Sequence, residues 1–432
     1  MKTKSKLLYF GLLMALAFIF YAGFIDTYFF FDDYVWMDDA QQSMQDITHI
    51  TTLNISHFFR PVVHFAMLIQ YAIFGLNPAG FHVVAILLHG LNAVLFYYFL
   101  KDALKIENEK ILTWAPVIWV SQYIYVEAVV WISSLTNILL TTWILLAFIG
   151  LGRKKLWLFL LGFTLVFLTK EEGAFIFPLI LLYLYLFKDK RLSKILPSKE
   201  VLLSGLIWGI YMVIQFILQK SAPLVTEQIF SFDEMAIVRW FEKIIALFLN
   251  LQPAINMIPT TLVLVVMLFL AFYGTENKLT KAQSLFMIAF LMLALVPTSF
   301  LNFDNSATRY FYNASLGSSL IITVLWLRIW DIPKVGKWIA VPVILLYMGA
   351  NYLNLQTAEI IFEELGSHGE NLIAQIEPEI ENLRDQTFNF VEAPYAESAM
   401  DSLMKVYFEI PKEQIVYDQP LDAGYVNITW GE

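Results

Sequence analysis

The sequence contains no cysteine among its 432 residues. Disulfide bonds, thiolate nucleophiles and zinc sites with sulfur ligands are therefore excluded. The chain also lacks a glycine-rich phosphate-binding loop, a nucleotide-binding signature and a concentrated basic patch. These absences exclude P-loop and dinucleotide-binding enzymes, and they argue against nucleic acid as a partner.

Charged residues are scarce, and this scarcity defines the class of protein. They make up 15% of the chain, whereas hydrophobic residues make up 59% and the mean hydropathy is +0.64. A typical soluble domain is about 25% charged and about 45–50% apolar. The apolar runs have the length of helices rather than the short alternation of outer-membrane barrel strands. The composition therefore predicts an all-α polytopic membrane protein.

The distribution of basic residues predicts the topology. We expect eleven spans, near residues 7–25, 80–100, 111–127, 135–151, 156–169, 173–187, 201–219, 256–273, 284–300, 311–327 and 338–355. This arrangement places 19 of the 28 Lys and Arg residues on the cytoplasmic side, as the positive-inside rule requires. The first span has no small-residue cleavage site after it and is expected to stay uncleaved. We therefore expect a bacterial inner-membrane protein with a cytoplasmic N-terminus and its C-terminal part outside.

The apolar stretch at 61–75 is the difficult part of this topology. Counting it as a span would leave only 11 of the 28 basic residues inside, against the charge rule. Helical spacing also places one stripe of polar and aromatic residues, His57, Arg60, His64 and Tyr71, apart from the apolar Phe65, Met67, Ile69 and Ile73. We predict an amphipathic helix in the interface, within a long first outer loop at 26–79.

The chain changes character after residue 355. Residues 356–432 hold 16 Asp and Glu residues against three Lys and Arg residues. Helical spacing at 358–383 gives way to short β-like runs at 387–391, 414–417 and 425–430, with another helical stretch at 397–407. We predict a transmembrane domain at 1–355 followed by a small acidic α/β domain at 356–432 on the outer face.

Asp32 and Asp33 follow the first span directly. Ionisable groups at the edge of hydrocarbon are costly, so an acidic pair there is a candidate functional site, with a solvated loop start as the alternative. The predicted topology brings further charged residues to the same outer face, namely Arg60, Glu127, Lys170, Glu171, Glu172, Asp304 and Arg309. Their gathering predicts a shared polar cavity.

Several short motifs around these charges carry a family resemblance. In chain order they are Phe31-Asp32-Asp33, Phe59-Arg60-Pro61, the stretch 74–82, His89-Gly90-Leu91-Asn92-Ala93, the stretch 125–131, Lys170-Glu171-Glu172-Gly173 and Arg309-Tyr310-Phe311-Tyr312. Over residues 7–330 the chain resembles the protein O-mannosyltransferase-like branch of the GT-C glycosyltransferases, including those that carry tetratricopeptide repeats. It departs from that branch at Asn137, where an acidic residue is common, and at Ser134-Leu135, which replaces an arginine-containing stretch. No tetratricopeptide array follows.

The resemblance implies an inverting transfer of a sugar from a polyprenyl phosphate to an acceptor hydroxyl of a protein, lipid or glycan. It implies that Asp32 or Asp33 is the catalytic base, with the first of the pair favoured. A phosphate leaving group needs fixed cations, and arginine suits it because its planar fork binds two oxygens. Arg309 is the leading candidate, with Arg60 and Lys170 next, and Glu127, Glu171, His82 and His89 are supporting residues. Arg309 as an interface anchor and Lys170 as the partner of a neighbouring glutamate stay open as alternatives.

Histidines and cofactors lead to a separate expectation. His57, His64, His82 and His89 lack acidic partners at ligand spacing, so hydrogen bonding within the bundle is the better interpretation. No cofactor is required by the sequence, although a divalent cation on Asp33 and Glu127 stays open. The alternative functions are a non-catalytic scaffold of the same fold and a transporter of lipid-linked sugars.

Overall fold

A computed structural model describes residues 3–53, 58–218, 235–249, 279–301, 307–420 and 425–429 of the chain. Most of these residues are helical. The helices are α1 (Thr3–Tyr21), α2 (Asp33–Gln45), α3 (Pro61–Phe74), α4 (Pro78–Tyr98), α5 (Glu109–Val120), α6 (Val126–Val130), α7 (Leu135–Gly152), α8 (Leu156–Phe167), α9 (Ile176–Phe187), α10 (Leu192–Ile195), α11 (Lys199–Leu218), α12 (Met235–Leu249), α13 (Lys281–Ser299), α14 (Phe311–Trp330), α15 (Gly336–Ile376), α16 (Ile380–Leu383) and α17 (Glu397–Phe408). The strands are β1 (Phe388–Val391), β2 (Ile415–Tyr417) and β3 (Val426–Thr429).

Seven of the described helical segments are long and apolar enough to cross a membrane, judged by length and composition. They are Lys4–Asp26, Pro78–Ala103, Ile132–Gly152, Lys199–Leu218, Lys281–Ser299, Thr308–Trp330 and Gly336–Ile376. The chain is thus a multi-pass integral membrane protein. The helices α5, α8 and α9 have 12 residues each, shorter than the roughly 20 needed for an untilted span. The span predicted at 256–273 lies outside the described residues, and the count of eleven stays a prediction.

The loop at 26–79, which the topology predicts to be the first outer loop, contains α2 and α3, and these two helices pack against each other. Helix α3 has 14 residues and begins with Pro61, whose fixed φ suits the first helical position. His64 and Met67 face inward and are buried, whereas Phe65, Ile69 and Ile73 are exposed. Met67 is therefore buried together with His64 and does not lie on the opposite face, where the spacing predicted it. The interfacial position of α3 stays a prediction.

The C-terminal part begins on an unusually long helix. Helix α15 has 41 residues and, at 1.5 Å per residue, a length of about 60 Å. It runs without interruption through the boundary that we predicted after residue 355. Beyond it lies a three-stranded parallel sheet in the order β2-β1-β3, with α17 between β1 and β2. The three strands and α17 confirm the predicted α/β composition.

Glycine allows α15 to approach the first outer loop closely. A Cβ added at Gly366 would lie 2.8 Å from the backbone nitrogen of Tyr28 and 2.9 Å from its oxygen. A backbone atom cannot swing aside as a flexible side chain can. The glycine therefore permits the contact that holds the segment before Asp32 against the long helix.

Candidate functional site

The two aspartates of the acidic pair have different surroundings. Helix α2 begins at Asp33, so the chain turns between the two residues. Asp33 is fully buried, and its Oδ1 accepts the Ser133 N–H at 2.8 Å and the Ser133 hydroxyl. Its Oδ2 accepts the Phe30 N–H at 3.3 Å. Asp33 therefore fastens the loop to the segment that precedes α7.

Asp32 is open to solvent, and its carboxylate has no hydrogen-bond partner among the residues that the structure describes. Desolvation by the surrounding protein raises its pKa, and the charges of Arg309 and Arg60 partly oppose this. Such a group can accept a proton from a bound hydroxyl, because no described residue donates a hydrogen bond to its oxygens.

The two arginines near Asp32 are each held by a carboxylate from another part of the chain. Arg60 forms a two-pronged pair with Glu171, with Nε–Oε2 at 3.1 Å and Nη2–Oε1 at 2.5 Å. Burial raises the pKa of Glu171, but Arg60 outweighs this effect and the net direction is downward. Arg309 donates from Nη1 at 3.0 Å and from its backbone nitrogen at 3.2 Å to Glu127 Oε2.

Aromatic rings also support the Arg309 guanidinium. It lies 4.7 Å from the centroid of the Trp131 ring and 4.8 Å from that of Tyr310. The backbone N–H of Glu127 donates to Thr308 Oγ1 at 3.1 Å, which joins the Glu127 and Arg309 segments a second time. The position of this arginine is thus fixed from several sides, as a preorganised ligand for an anion requires.

Lys170 is the third cation that the sequence singled out, and it is buried. Its Nζ lies 2.8 Å from Glu172 Oε1 and donates to Asn137 Oδ1 at 2.9 Å. The predicted alternative of a glutamate partner thus holds for Lys170. Burial lowers the pKa of this lysine, and Glu172 opposes the shift. Asn137, where the resembled family often has an acid, serves here as an acceptor for the ammonium.

The structure adds two cations that sequence reasoning missed. Arg239 and Lys243 lie four residues apart on α12, and both are buried. Arg239 Nε donates to the Ser299 carbonyl at 2.8 Å, and Lys243 Nζ donates to the Thr298 carbonyl at 2.6 Å. Burial lowers the pKa of Lys243 to about 8; Glu172 opposes this shift, whereas Arg239 and Arg309 add to it.

The ring of Tyr310 joins these cations into one cluster. Lys170 Nζ lies 5.4 Å and Lys243 Nζ 5.3 Å from its centroid, and the Arg309 guanidinium contacts the same ring. The sequence spacing of the two missed residues was informative, because Arg239 and Lys243 share one face of an amphipathic helix. It could not identify them as site residues, however, without the knowledge that α12 packs against α13 and α14.

No protein-family model matches the sequence, and no curated protein matches it. Solved structures do match the fold. ArnT from Cupriavidus metallidurans, bound to undecaprenyl phosphate, aligns with a TM-score of 0.61 over 96% of this chain and 90% of that chain, at 11% identity. Its apo state aligns with a TM-score of 0.59 over 97% and 86%, at 12% identity. The archaeal oligosaccharyltransferase AglB from Archaeoglobus fulgidus, in complex with an inhibitory peptide and a dolichol-phosphate, aligns with a TM-score of 0.55 over 94% and 64%, at 9% identity.

The chain has the GT-C fold. This confirms the predicted fold, whereas membership of the superfamily and of its O-mannosyltransferase-like branch stays a prediction. In this GT-C fold the first outer loop supplies Asp32 and Arg60, and the segment before α14 supplies Arg309. The charges that the sequence placed on one face thus come from distant parts of the chain.

The two histidines named as supporting residues lie within the helix bundle. His82 Nε2 donates to the Thr27 carbonyl at 2.9 Å. His89 Nε2 lies 3.2 Å from the Val120 carbonyl, so this nitrogen carries the hydrogen and Nδ1 accepts from the Tyr312 hydroxyl at 2.8 Å. Both rings therefore connect helices, as expected of histidines in a bundle.

The residues named for a divalent cation do not form a site for one. Asp33 accepts hydrogen bonds from Ser133 and Phe30, and Glu127 pairs with Arg309. Within the described ranges, no group of three or more His, Asp or Glu side chains is arranged to hold a metal ion. The charge that this arrangement offers to an anion comes from arginine and lysine.

Proposed function

We propose that this protein is an inverting glycosyltransferase that moves a sugar from a polyprenyl-phosphate donor to an acceptor hydroxyl at the outer membrane face. One observation carries the proposal: the Asp32 carboxylate, which has no hydrogen-bond partner in the described part of the chain, lies in the field of two fixed arginines, Arg60 and Arg309. A base beside an anion site is what this transfer needs. The neighbour ArnT, with bound undecaprenyl phosphate, supports a lipid phosphate as the ligand of such a fold.

In the proposed reaction Asp32 accepts the proton of the acceptor hydroxyl as its oxygen attacks the anomeric carbon of the sugar. The new carbon–oxygen bond forms while the bond from that carbon to the phosphate oxygen breaks. The polyprenyl phosphate leaves with the electron pair. A single displacement inverts the configuration at the anomeric carbon. Because the phosphate leaves as a stable anion, no second carboxylic acid is needed to protonate the leaving group. Asp33, which is already hydrogen-bonded on both oxygens, is a structural residue in this scheme.

The phosphate ligands follow from which donors stay available. Arg309 donates a hydrogen bond from Nη1 to Glu127, and Arg60 donates from Nε and Nη2 to Glu171. These pairs leave a nitrogen on each guanidinium to reach a phosphate oxygen, while the carboxylates prevent the arginines from swinging away. Lys170 and Lys243 add positive charge across the Tyr310 ring. Fixed cations in a site of low dielectric stabilise the developing charge on the leaving group.

Glycans of cells with and without the gene test this proposal. We expect a glycan on outer-face proteins or lipids to disappear on deletion, and to return with the wild-type gene but not with Asp32→Asn. Asp26→Asn is the matched control, because Asp26 is an exposed aspartate six residues upstream in the chain. Full restoration by Asp32→Asn at equal protein level would contradict the proposal and favour a non-catalytic scaffold or a transporter.

A further inference from the structure

Phe31, the residue before Asp32, has an unusual backbone conformation. Its φ is +48°, in the left-handed region that non-glycine residues rarely adopt. A bulky residue stays there only where its surroundings hold it. Here the Phe31 ring makes edge-on contacts with Tyr395, at a centroid distance of 5.4 Å, and with Trp131, at 6.4 Å.

Tyr395 belongs to the C-terminal part and lies between β1 and α17. Its hydroxyl donates to the Leu365 carbonyl at 2.6 Å and accepts the Gly369 N–H at 2.9 Å. Leu365 and Gly369 are four residues apart on α15, so the hydroxyl is inserted between the groups that would pair within a regular turn. Tyr395 is 5% exposed. The ring that contacts Phe31 is thus fixed to the long helix.

Trp131, on the other side of Phe31, also supports the anion site. Its ring is stacked on Phe30 at 6.1 Å, with an interplanar angle of 16°, and carries the Arg309 guanidinium at 4.7 Å. Phe31 therefore lies between a residue of the C-terminal part and a residue that positions Arg309. A change at Tyr395 would be transmitted to Asp32 through one peptide unit.

Helix α17 holds the same loop at two further points. Lys405 Nζ lies 2.7 Å from Asp38 Oδ1 on α2, the helix that starts next to Asp32. The Tyr28 hydroxyl donates to the Tyr407 hydroxyl at 3.0 Å. These bonds link the C-terminal part to the segments before and after the acidic pair, so the loop cannot turn independently of it.

We propose that the C-terminal part is a component of the site, and that Tyr395 is a positioning residue that holds Phe31 in its left-handed conformation and so directs Asp32 toward Arg60 and Arg309. The role assigned to Asp32 rests on the proposed function, but the geometry does not. It can be tested without any substrate, so failure of the positioning role and failure of the proposed function are distinguishable.

The absence of cysteine makes the test direct, because Asp32→Cys gives a protein with a single thiol. Its rate of alkylation by a neutral reagent, measured against pH on the full-length protein in detergent, reports the thiol pKa. Burial should raise that pKa above the usual value of about 8.5, as it does for the Asp32 carboxylate, and the two arginines should limit the rise. Adding Tyr395→Leu turns the thiol away from the arginines, so it is expected to raise the thiol pKa further and to lower the rate at neutral pH by about threefold or more.

Two further variants keep the test specific. Tyr417→Leu removes a tyrosine that belongs to the same C-terminal part and bonds to Asp401 and Glu397, away from Phe31. It should leave the thiol pKa unchanged, and an equal shift there would mean general loosening and overturn the proposal. Tyr395→Phe keeps the ring against Phe31, so its thiol pKa should stay near that of the parent.

A double-mutant cycle addresses the contact itself. Once Phe31→Ala has removed the ring, Tyr395→Leu should have a much smaller effect on the thiol pKa, because only its contact with Tyr34, at a centroid distance of 5.7 Å, is then left to lose. Additive effects would overturn the proposed path. An unchanged pKa and rate in Tyr395→Leu alone would overturn it as well. For each variant, a single symmetric peak in size-exclusion chromatography serves as the check that the protein is folded.

Discussion

Neighbouring residues can have opposite roles, and Asp32 and Asp33 illustrate this. The sequence identifies the pair but cannot separate its members, because the direction of each side chain depends on where α2 begins. Asp33 is fastened to Ser133, whereas Asp32 is open. Arg239 and Lys243 were missed for a related reason, because their positions are set by hydrogen bonds to the carbonyls at the end of α13. Such long-range contacts are not contained in local spacing.

The first prediction concerns the different stabilities of the two aspartate variants. Asp33→Ala leaves the buried Ser133 N–H without its acceptor, which typically costs about 1–3 kcal/mol. Asp32→Ala removes no side-chain hydrogen bond to any residue that the structure describes, and should stay within about 0.5 kcal/mol of the wild type. Thermal unfolding in detergent measures both. Equal losses in the two variants would show that Asp32 is also a structural residue.

A second prediction concerns donor binding by Arg309. Arg309→Ala should weaken the binding of undecaprenyl phosphate, because removing one partner of a charge-assisted pair costs about 2–5 kcal/mol. Each 1.4 kcal/mol corresponds to about tenfold in affinity. Arg309→Lys should recover part of the loss, since it restores the charge but not the planar fork.

The control for this measurement is Arg328→Ala, at the opposite end of the same helical segment, where the side chain is exposed. It removes the same residue type and should leave the affinity unchanged. If Arg309→Ala binds as tightly as Arg328→Ala, Arg309 is an interface anchor and not a phosphate ligand.

The third prediction is a pH dependence that His64 causes. Its side chain is buried, and neither ring nitrogen has a hydrogen-bond partner in the described part of the chain; the nearest carboxylate oxygen, of Asp39, lies 3.9 Å from Nδ1. Burial lowers the pKa of His64 from 6.5 to about 4, and the charges of His49 and Arg60 act in the same direction.

Because the folded-state pKa is the lower one, neutral His64 contributes stability above pH 6.5, and this is lost as the pH falls toward 4. At pH 5.5 the loss should be about 1 kcal/mol. Unfolding temperatures at pH 7.5 and 5.5 should therefore differ less in His64→Leu than in the wild type. The other histidines are shared by both proteins and cancel in this comparison, so identical differences would contradict the assignment.

At the scale of secondary-structure elements, the sequence predicts whether a segment is helix or strand better than it predicts where that element ends. The strands and α17 lie where alternation and spacing place them, since each has its own local periodicity. The continuity of α15 was not predicted. Hydropathy falls near residue 355, where a membrane span should end, but a helix does not have to end where its apolar segment does. Its continuation is maintained by packing of Gly366 and Gly369 against the loop and Tyr395.

The fourth prediction uses two glycines of that helix. Gly366→Ala places a methyl group 2.8 Å from the Tyr28 backbone, so the loop before Asp32 must move and the protein should lose thermal stability. Gly349→Ala is the matched control, because nothing lies within 4 Å of a Cβ there. It should be neutral or stabilising by up to about 1 kcal/mol, from helix propensity alone. Equal unfolding temperatures for the two variants would contradict the close approach.

At the scale of the whole molecule, composition and charge distribution are sufficient to predict a multi-pass helical membrane protein. The gathering of distant charges is also visible in the sequence once the topology is assigned. Which charges pair is not visible, because the pairs Arg60–Glu171 and Arg309–Glu127 join segments more than 100 residues apart. The GT-C fold accounts for this arrangement, since it brings the first outer loop to the segment before α14.

The central claim is that Asp32 is the base of a sugar transfer from a polyprenyl phosphate. Whatever the sugar and the acceptor, that reaction releases free polyprenyl phosphate. The most direct measurement is therefore its release, followed by mass spectrometry, from purified protein in vesicles with lipid-linked sugars and acceptors extracted from the same cells. We predict release by the wild type and by Asp26→Asn, and a loss of about 100-fold or more in Asp32→Asn. Undiminished release by Asp32→Asn, or no release by the wild type, would contradict the account.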